Sequence, residues 1–389
     1  MRILVIGLVD YTRVTGGVIH QSALVRWMVE AGHEVTLLAP DTGDPTEALP
    51  VVRDCLVRTP TWGRSGRTSL LDSILQLPAL IRAVRTAGVD VIYIRNNTLT
   101  PLLTLSGRVL GLPVVVEHNT WQALERAHFA HRGRGFIRLE GWLQALDARL
   151  ASHSRAVTEG VRRLLLAAGA PECRLSVIGN GADTELFYPA DRAESLARWG
   201  LDPDLLYLGF IGSLTPWHGV HSAISAMRHL AAEQPRARLL VFGDGPDRER
   251  LRALIRDEAV EDRVMLMGKV PLKDANAAIN CFDIALAPFS RLLYEDVGVA
   301  TIKLGDYAAA GRPVVGSDLP GLREMAQHGW IDLVSPDEPA ALAAAAAALL
   351  SDPARRQARA AAARRAAEGP LNWREITRQV LKILTAVRP

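Results

Sequence analysis

Hydrophobic and polar positions in this chain form short, continuous apolar runs separated by longer amphipathic segments. In the first part of the chain the runs are Arg2–Val9, Glu34–Ala39, Asp90–Ile94, Pro113–Val116, a run that includes Val157, and Leu175–Ile178. A helical pattern of apolar positions from about Val18 to Ala31 lies between the first two runs. Continuous apolar runs that alternate with helices are typical of parallel strands covered on both faces. The pattern therefore predicts a doubly wound α/β fold.

The same pattern starts again in the second half of the chain. Its apolar runs are Leu205–Ile211, Arg238–Phe242, Val264–Met267, Ile284–Ala287, Pro313–Gly316 and Ile331–Val334. A polar stretch follows Phe187, so we predict one Rossmann-like domain over residues 1–187 and a second over 188–370. The amphipathic segment 371–389 is expected to pack back on the first domain. Two such domains are expected to face a central cleft, with ligands at the carboxyl ends of the strands.

Composition narrows the class of protein without identifying a ligand. The chain has 389 residues, and its net charge of +3 gives little support for nucleic-acid binding. Three separate cysteines without a CxxC pair argue against a disulfide framework or a zinc site and favour a reducing cytoplasm. The amino-terminal run is too short for a signal peptide, and no apolar run approaches a membrane span of about 20 residues. We expect a cytoplasmic protein, with peripheral membrane contact as an alternative.

The stretch GSLTPWHG, residues 212–219, lies between an apolar run and a helical pattern. A glycine turn in that position can bind phosphate through backbone amides. We expect Gly212 and Ser213 to offer amides and a hydroxyl, and His218 to supply charge. A neighbouring diphosphate would raise the pKa of His218, so ligand binding is expected to take up a proton and to weaken as pH rises from about 6 to 8.

Lysine occurs at only four positions, and one of them, Lys303, follows a glycine-containing loop that opens a helix. The amides of the loop and the helix amino terminus favour an anion, and Lys303 adds a full charge. The loop residues expected to contribute are Gly298, Val299, Ala300 and Thr301. Asp306 lies on the same helix face as Lys303, where a carboxylate can accept the hydroxyls of a ribose.

No metal is expected to neutralise the phosphates. The single DxD sequence is Asp202–Asp204, which lies in the polar interdomain stretch and reads as a solvated linker. Protein cations and backbone amides are therefore expected to take the role that a metal would otherwise have.

Three segments carry a resemblance to a known family. They are residues 175–189 (LSVIGNGADTELFYP), 209–219 (GFIGSLTPWHG) and 301–315 (TIKLGDYAAAGRPVV). In this order they resemble the retaining glycosyltransferases of family 4, and most closely a branch with the motif GSx-x-PWHG. The resemblance implies a GT-B fold, a UDP- or GDP-sugar donor, retention of the anomeric configuration and no metal. It also implies front-face attack, with Lys303 and His218 stabilising the leaving diphosphate.

The resemblance also assigns roles to single residues. Asp306 stands where the family has a ribose-binding glutamate, and the backbone of Val270 stands in the turn that holds the nucleobase. His118 matches a histidine that contacts the transferred sugar, and Gly16 and Gly17 match the first phosphate turn.

Acceptor binding is expected in the first domain. Arg95 and Asn96 follow one apolar run, and Glu117, His118 and Asn119 end the next. Neighbouring parallel strands bring such ends together, so these side chains are expected to bind acceptor hydroxyls.

The family's usual first acid is absent from its expected place. The position eight residues before Asp306 is Gly298, and Glu295 lies three residues too early. The donor sugar therefore stays open, and Glu295 and Asp296 are equally well explained as solvated residues.

Several alternatives remain at this point. An epimerase or phosphorylase of the same fold, or a non-catalytic nucleotide-sugar-binding partner protein, would share these motifs. The missing GxGxxG and GxSxG sequences disfavour a dehydrogenase and a serine hydrolase. The basic stretch 126–138 contacts either an anionic membrane or lipid-linked acceptor, or solvent alone.

Overall fold

The computed structural model describes residues 1–12, 15–43, 50–62, 71–129 and 133–388. The chain divides into two compact units. Unit 1 comprises Met1–Asn180 and Trp373–Pro389, and unit 2 comprises Gly181–Asn372.

Unit 1 contains a sheet of seven strands, all paired in parallel. Its strands are β1 (Arg2–Ile6), β2 (Glu34–Pro40), β3 (Leu56–Thr59), β4 (Val91–Arg95), β5 (Val114–His118), β6 (His153–Ala156) and β7 (Leu175–Val177). Its first seven helices are α1 (Gly16–Glu30), α2 (Pro50–Cys55), α3 (Asp72–Ala87), α4 (Thr100–Val109), α5 (Gln122–Phe129), α6 (Arg134–Leu150) and α7 (Glu159–Ala167). The strand order is β3-β2-β1-β4-β5-β6-β7.

Alternate residues of these strands point to opposite faces of the sheet and pack into two separate apolar layers. On one face, Ile3, Val5 and Tyr93 pack with residues of α1 and α2. On the other face, Leu4 and Ile92 pack with residues of α3, α4 and the end of α6. Because side chains alternate across a strand, a sheet covered on both faces needs continuous apolar strands, as the sequence predicts.

Unit 2 contains a second sheet, also wholly parallel. Its strands are β8 (Leu206–Ile211), β9 (Ala237–Phe242), β10 (Val264–Gly268), β11 (Ile284–Ala287), β12 (Val314–Ser317) and β13 (Ile331–Val334). Its helices are α8 (Arg192–Arg198), α9 (Val220–Leu230), α10 (Arg248–Asp257), α11 (Leu272–Asn280), α12 (Arg291–Val297), α13 (Ile302–Ala309), α14 (Leu322–Ala326), α15 (Pro339–Ser351) and α16 (Pro353–Glu368).

The strand order of unit 2 is β10-β9-β8-β11-β12-β13. The order reverses between β8 and β11, and parallel sheets bind ligands at the carboxyl ends of strands beside such a reversal. The prediction of two doubly wound α/β units is confirmed.

The last helix, α17 (Trp373–Ala386), belongs to unit 1. Trp373, Ile376, Val380 and Leu384 join the apolar layer that contains α1. The ring of Trp373 meets the ring of His20 edge-on, with 5.0 Å between the centroids.

The boundary between the units lies after Asn180, whereas the sequence analysis placed it after residue 187. Residues 181–187 pack within unit 2: the Ala182 amide donates to the Leu371 carbonyl, and Arg364 donates to the Phe187 carbonyl at 3.3 Å. A Cβ on Gly305 would lie 2.6 Å from the Gly181 carbonyl oxygen, so α13 approaches this segment closely. The packing of residues 181–187 within unit 2 depends on tertiary contacts. The polar stretch after residue 187 gives no sign of these contacts.

Among the helices described, none is long and apolar enough to cross a membrane.

We expect Trp373→Ala to destabilise unit 1 selectively. Trp373 is 1% exposed, and truncating a buried tryptophan costs about 3–5 kcal/mol. Hydrogen exchange should accelerate in the strands of unit 1 while those of unit 2 keep their protection. Lys382→Ala, at an exposed position of the same helix, is the matched control and should change neither unit. Equal loss of protection in both units would contradict the assignment of α17 to unit 1.

Candidate functional site

The turn between β8 and α9 needs glycine at two positions. Gly212 has φ 142° and Gly219 has φ 68°, both in the region that favours glycine. A Cβ on Gly219 would overlap the Pro288 carbonyl oxygen, which follows β11. A short 3₁₀ helix, Pro216–His218, precedes Gly219, and the Ser290 amide donates to the Trp217 carbonyl at 3.1 Å. The ends of β8 and β11 are therefore locked together at the reversal of the strand order.

Lys303 projects from the first turn of α13 to this turn. Its Nζ lies 4.0 Å from the centroid of Phe210 and 5.5 Å from that of Phe289. A Cβ on Gly212 would lie 2.6 Å from Nζ, so any other residue there would displace the ammonium. Lys303 is 9% exposed, and its Nζ has no hydrogen-bond partner among the residues that the structure describes. Two aromatic rings hold this cation, but no carboxylate is hydrogen-bonded to it.

In the free protein, burial makes the charged form of Lys303 unfavourable. Burial lowers the pKa of Lys303 to about 7, although the nearby Asp306 carboxyl acts in the opposite direction. Burial and the neighbouring Asp183 raise the pKa of Asp306 well above its usual range, against the effect of Lys303. Asp306 is 9% exposed. Both groups therefore lie where an ionic ligand would change their protonation.

His218 is not the cation that the sequence analysis expected. Its Nδ1 donates to the Ser213 carbonyl at 2.6 Å, which leaves Nε2 as an acceptor in the neutral ring. Burial and the charge of Lys303 lower the pKa of His218 to about 3, so the ring is neutral at pH 7. The sequence could not show this, because the shift comes first from the burial of the ring and then from Lys303, 85 positions later in the chain.

The loop before α13 offers fewer amides than predicted. The Gly298 amide donates to the Tyr294 carbonyl at 3.0 Å and the Val299 amide to the Pro320 carbonyl at 2.8 Å. Neither amide is therefore available to a phosphate. Thr301 is the N-cap residue of α13, and Ala300 precedes it. The amides of Ile302 and Lys303, the first two residues of α13, have no acceptor within the helix and are the remaining candidates for the expected role.

The remaining residues expected in unit 2 lie around the same end of the sheet. Val270 follows β10 and is half-buried, beside a bond from the Gly243 amide to the Gly268 carbonyl at 2.7 Å. Glu295 and Asp296 are exposed on α12, in a helix rather than a loop.

No group of three or more His, Cys, Asp or Glu side chains among the described residues is arranged to hold a metal ion. Asp202 and Asp204 are exposed ahead of β8.

In unit 1, Glu117 is the centre of a buried ionic network and not an exposed acceptor ligand. Its carboxylate is 2.7 Å from Arg155 Nη1 and 2.8 Å from His20 Nε2, and it also accepts from Asn119 Nδ2 at 2.5 Å and from Tyr93. Glu117 is 1% exposed. Burial would raise the pKa of Glu117, but the electrostatic effects of His20 and Arg155 and the hydrogen bond from His20 hold it well below its usual range. Its oxygens are already occupied, which corrects the predicted role.

His118 is fully buried at the end of β5. Burial lowers its pKa to about 3, so the ring is neutral. Gln144 Nε2 lies 3.5 Å from Nδ1, and Nε2 has no hydrogen-bond partner among the described residues. The neutral ring therefore has one nitrogen left for a ligand or a water.

Three of the residues predicted to bind an acceptor line one cavity in unit 1. The cavity has a volume of about 380 Å³ and is lined by Arg95, Asn96, Asn119, Thr120, Gln122, Glu125 and Arg126. Arg95 Nη1 lies 3.9 Å from Glu117 Oε1 and has no hydrogen-bond partner among the described residues. The cavity thus combines two guanidinium groups with amide and hydroxyl groups, a lining suited to a polar, hydroxylated ligand.

A row of buried polar residues on α6 positions this lining. Glu140, Gln144 and Asp147 share one helix face, as residues at i, i+4 and i+7 do. Glu140 accepts from Arg126 Nε at 2.8 Å, and Asp147 accepts from Asn96 Nδ2 at 2.8 Å. Gln144 accepts from the Gln122 amide at 3.0 Å and donates to the Thr120 carbonyl at 2.7 Å.

Gly16 and Gly17 begin α1 rather than forming the turn before it. Thr15 is the N-cap, and its hydroxyl accepts from the Val18 amide at 3.4 Å. A Cβ on Gly17 would lie 3.7 Å from Arg95 Nη2, so the guanidinium packs beside the helix amino terminus.

The basic stretch 126–138 is mostly helical. It contains the end of α5 and the beginning of α6, and residues 130–132 lie outside the described residues. Arg126 stacks over the Phe136 ring at 5.8 Å and pairs with Glu140, so its guanidinium already has partners within unit 1.

Sequence reasoning missed the groups that surround the predicted residues. The sequence analysis assigned no functional role to Phe210, Phe289, His20 or Arg155. The spacing of Glu140, Gln144 and Asp147 was the one local signal, because three polar residues recur on one face of an otherwise apolar helical pattern.

Two family models match the chain. "Glycosyltransferase Family 4" matches residues 14–186, and "Glycosyl transferases group 1" matches residues 205–352. The chain is 28% identical over 325 residues to the D-inositol 3-phosphate glycosyltransferase of Thermobispora bispora, which covers 79% of this chain and 74% of that protein.

Solved structures match over nearly the whole length. Sucrose-phosphate synthase from Thermosynechococcus elongatus has a TM-score of 0.80 at 19% identity, covering 99% of this chain and 98% of that one. Anabaena Alr3699/HepE in complex with UDP-glucose has a TM-score of 0.74 at 20% identity, covering 99% and 100%. Because glycosyltransferase models match both halves and the fold matches throughout, this chain belongs to the GT-B glycosyltransferases and is an enzyme of the hexosyltransferase type.

Proposed function

We propose that the chain transfers a sugar from a nucleoside-diphosphate donor, bound by unit 2, to a hydroxyl of an acceptor bound by unit 1. Transfer proceeds with retention of the anomeric configuration and without a metal ion. The donor is a UDP- or GDP-sugar, and the complex of Anabaena Alr3699/HepE with UDP-glucose favours UDP for the first assays.

The observation that carries this proposal is the unpaired ammonium of Lys303. A buried charge without a partner is unfavourable, so its retention suggests an anion that completes the site. The ammonium lies beside Gly212 and at the amino terminus of α13. Backbone amides and a helix terminus add to the same field. A diphosphate provides the negative charge that this arrangement lacks.

Other residues of unit 2 then take complementary roles. Asp306 accepts the ribose hydroxyls and ionises as they bind, because hydrogen bonds to a carboxylate favour its charged form. The backbone of Val270 contacts the base. Neutral His218 accepts from a sugar hydroxyl through Nε2, since Nδ1 already donates to the Ser213 carbonyl.

In unit 1, the acceptor occupies the cavity lined by Arg95, Asn96 and Asn119. His118 Nε2 contacts the transferred sugar as a neutral group. Glu117 acts through Asn119, whose side chain it fixes by a hydrogen bond.

The chemistry proposed is front-face substitution. The acceptor oxygen forms a bond to the anomeric carbon on the face that the leaving phosphate departs from, and the phosphate oxygen takes the acceptor proton. Lys303 and the first amides of α13 stabilise the charge that develops on the diphosphate.

Lys303→Met is expected to weaken nucleoside-diphosphate binding about 100-fold or more, because the diphosphate loses its one buried cation. The same change should raise the free energy of unfolding by about 1–3 kcal/mol, since a buried charge without a partner is replaced by an apolar chain. Calorimetry with UDP and GDP and denaturant unfolding measure the two effects. Lys273→Met, at an exposed position of unit 2, should change neither. Unchanged nucleotide affinity would refute the donor site.

Donor affinity is expected to fall as pH rises above about 7. The free pKa of Lys303 is about 7, and the bound diphosphate raises it. Below pH 7 the lysine is protonated in both states and contributes no pH dependence of its own. Above pH 7 binding takes up a proton, so affinity falls by up to about tenfold per pH unit. Titration with a nucleotide sugar measures this, because its doubly esterified diphosphate keeps a constant charge.

The source of this dependence is separable by variants. Lys303→Met should abolish the fall in affinity above pH 7, whereas His218→Asn should preserve it, because neutral His218 exchanges no proton in this range. Asp306→Asn removes the opposing proton release and should steepen the slope. If the slope disappears in His218→Asn, the group that takes up the proton is the histidine and not Lys303.

Retention is testable before the acceptor is known. With an α-linked nucleotide sugar and water as a slow acceptor, proton NMR should detect the α-anomer of the released sugar first. EDTA should leave the rate unchanged. The β-anomer appearing first, or activity lost to EDTA and restored by a divalent ion, would contradict the proposed mechanism.

A further inference from the structure

Helices α3, α4 and α6 cover the same face of the sheet of unit 1 and present an unusual outer surface. Ser73 at the start of α3 donates to Asn97 just before α4, and Thr104 of α4 donates to Asp147 of α6 at 2.6 Å. The three helices are therefore side by side, with α4 in the middle. We call their solvent-facing side the α3–α4–α6 face.

Large apolar side chains are concentrated on this face. Leu102, Leu105 and Val109 form one stripe of α4, at i, i+3 and i+7, and Val109 is 79% exposed. On α6, Leu139 and Trp142 are a further i, i+3 pair, and Trp142 is 56% exposed. Single exposed apolar residues are ordinary, but a continuous set on adjacent helices marks an interaction surface.

The charges on the same face are all of one sign. Its exposed ionic side chains are Arg82, Arg85, Arg108, Arg134, Arg138 and Arg149. The acids of these three fully described helices, Asp72, Glu140 and Asp147, are at most 2% exposed and point inward. The face is therefore purely cationic, although the chain as a whole carries a net charge of only +3.

We propose that the α3–α4–α6 face docks on an anionic membrane surface. A bilayer interface accommodates all three kinds of side chain at once: the indole at the headgroups, the leucines at the acyl boundary and the guanidinium groups on lipid phosphates. Each basic residue near such a surface contributes to binding, and apolar insertion supplies the second signal that stable attachment requires. This surface shares Arg134 and Arg138 with the basic stretch 126–138 but excludes Arg126, which is paired with Glu140 inside the unit.

The same composition argues against the other partners. A nucleic acid would bind the arginines but leave Trp142 and the α4 leucines in water. A second copy of the same face would bring two sets of arginines together and repel. An anionic bilayer satisfies both the charge and the apolar area.

Vesicle flotation of the full chain tests the docking surface. Binding should be strong on phosphatidylcholine vesicles with about 30% phosphatidylglycerol, weak on phosphatidylcholine alone, and reduced by salt. Arg82→Gln/Arg85→Gln/Arg138→Gln should lower the partition coefficient about 100-fold, since each basic residue contributes about a fivefold factor. Leu105→Ser/Trp142→Ser should lower it at least about tenfold through lost apolar insertion.

Matched controls separate the face from general charge and hydrophobicity. Arg228→Gln/Arg252→Gln/Arg256→Gln removes the same charge from exposed positions of unit 2, and Val29→Ser/Met265→Ser removes exposed apolar groups elsewhere. Both should bind vesicles like the parent chain. Nucleotide binding should persist in every variant, because none of these substitutions changes a residue proposed to bind the donor.

Three results would overturn the proposal. They are the absence of binding to the anionic vesicles, binding that survives both sets of substitutions on the face, and sedimentation showing that those substitutions dissociate a dimer of the parent chain.

Discussion

An ammonium group buried without a hydrogen-bonded counter-ion is the constraint on which the organisation of unit 2 depends. Lys303 is held by the ring of Phe210 and by the bare backbone of Gly212, and neither neutralises it. Glycine at 212 is required because any Cβ would displace the ammonium. Gly305 lets α13 approach residue 181 closely, and the hydroxyl of Tyr307 accepts from the Ile211 amide at 3.0 Å. The short helix α13 is thus fixed to β8 so that the charge cannot move into solvent.

In unit 1, by contrast, the central buried charge is paired. Glu117 is surrounded by Arg155, His20, Tyr93 and Asn119, and its carboxylate is fully paired. A fully hydrogen-bonded ionic network fixes the positions of its side chains, because removing one partner would leave the remaining charge buried and unpaired. Around it, α6 holds the cavity lining through Glu140, Gln144 and Asp147. One unit therefore has a rigid, internally neutralised polar framework, and the other keeps a cation unpaired for an anionic ligand.

The sequence predicted what depends on local pattern. Apolar runs gave both parallel sheets, and the rarity of lysine singled out Lys303 before any contact was known. The short edge strand β3 was missed, because Leu56–Thr59 is too brief and too exposed to form an apolar run. Glu117 was assigned to acceptor binding because its partners, His20 and Arg155, are distant in sequence. His218 was expected to become charged beside a diphosphate, because the sequence shows its turn but neither the burial of its ring nor Lys303 beside it. Val299 was expected to offer an amide that Pro320 occupies. The errors at Glu117, His218 and Val299 each concern a contact between residues that are not neighbours in the chain.

The protonation of Lys303 tests this account most directly, and the chain's four lysines make the measurement practical. NMR of lysine labelled with ¹³C and ¹⁵N should show one side chain that titrates near pH 7 in the free protein and is missing from Lys303→Met. A saturating nucleotide sugar should move that titration upward. A Lys303 side chain that titrates at the ordinary lysine pKa of about 10.4, or a perturbed Lys303 that the nucleotide does not affect, would contradict the account.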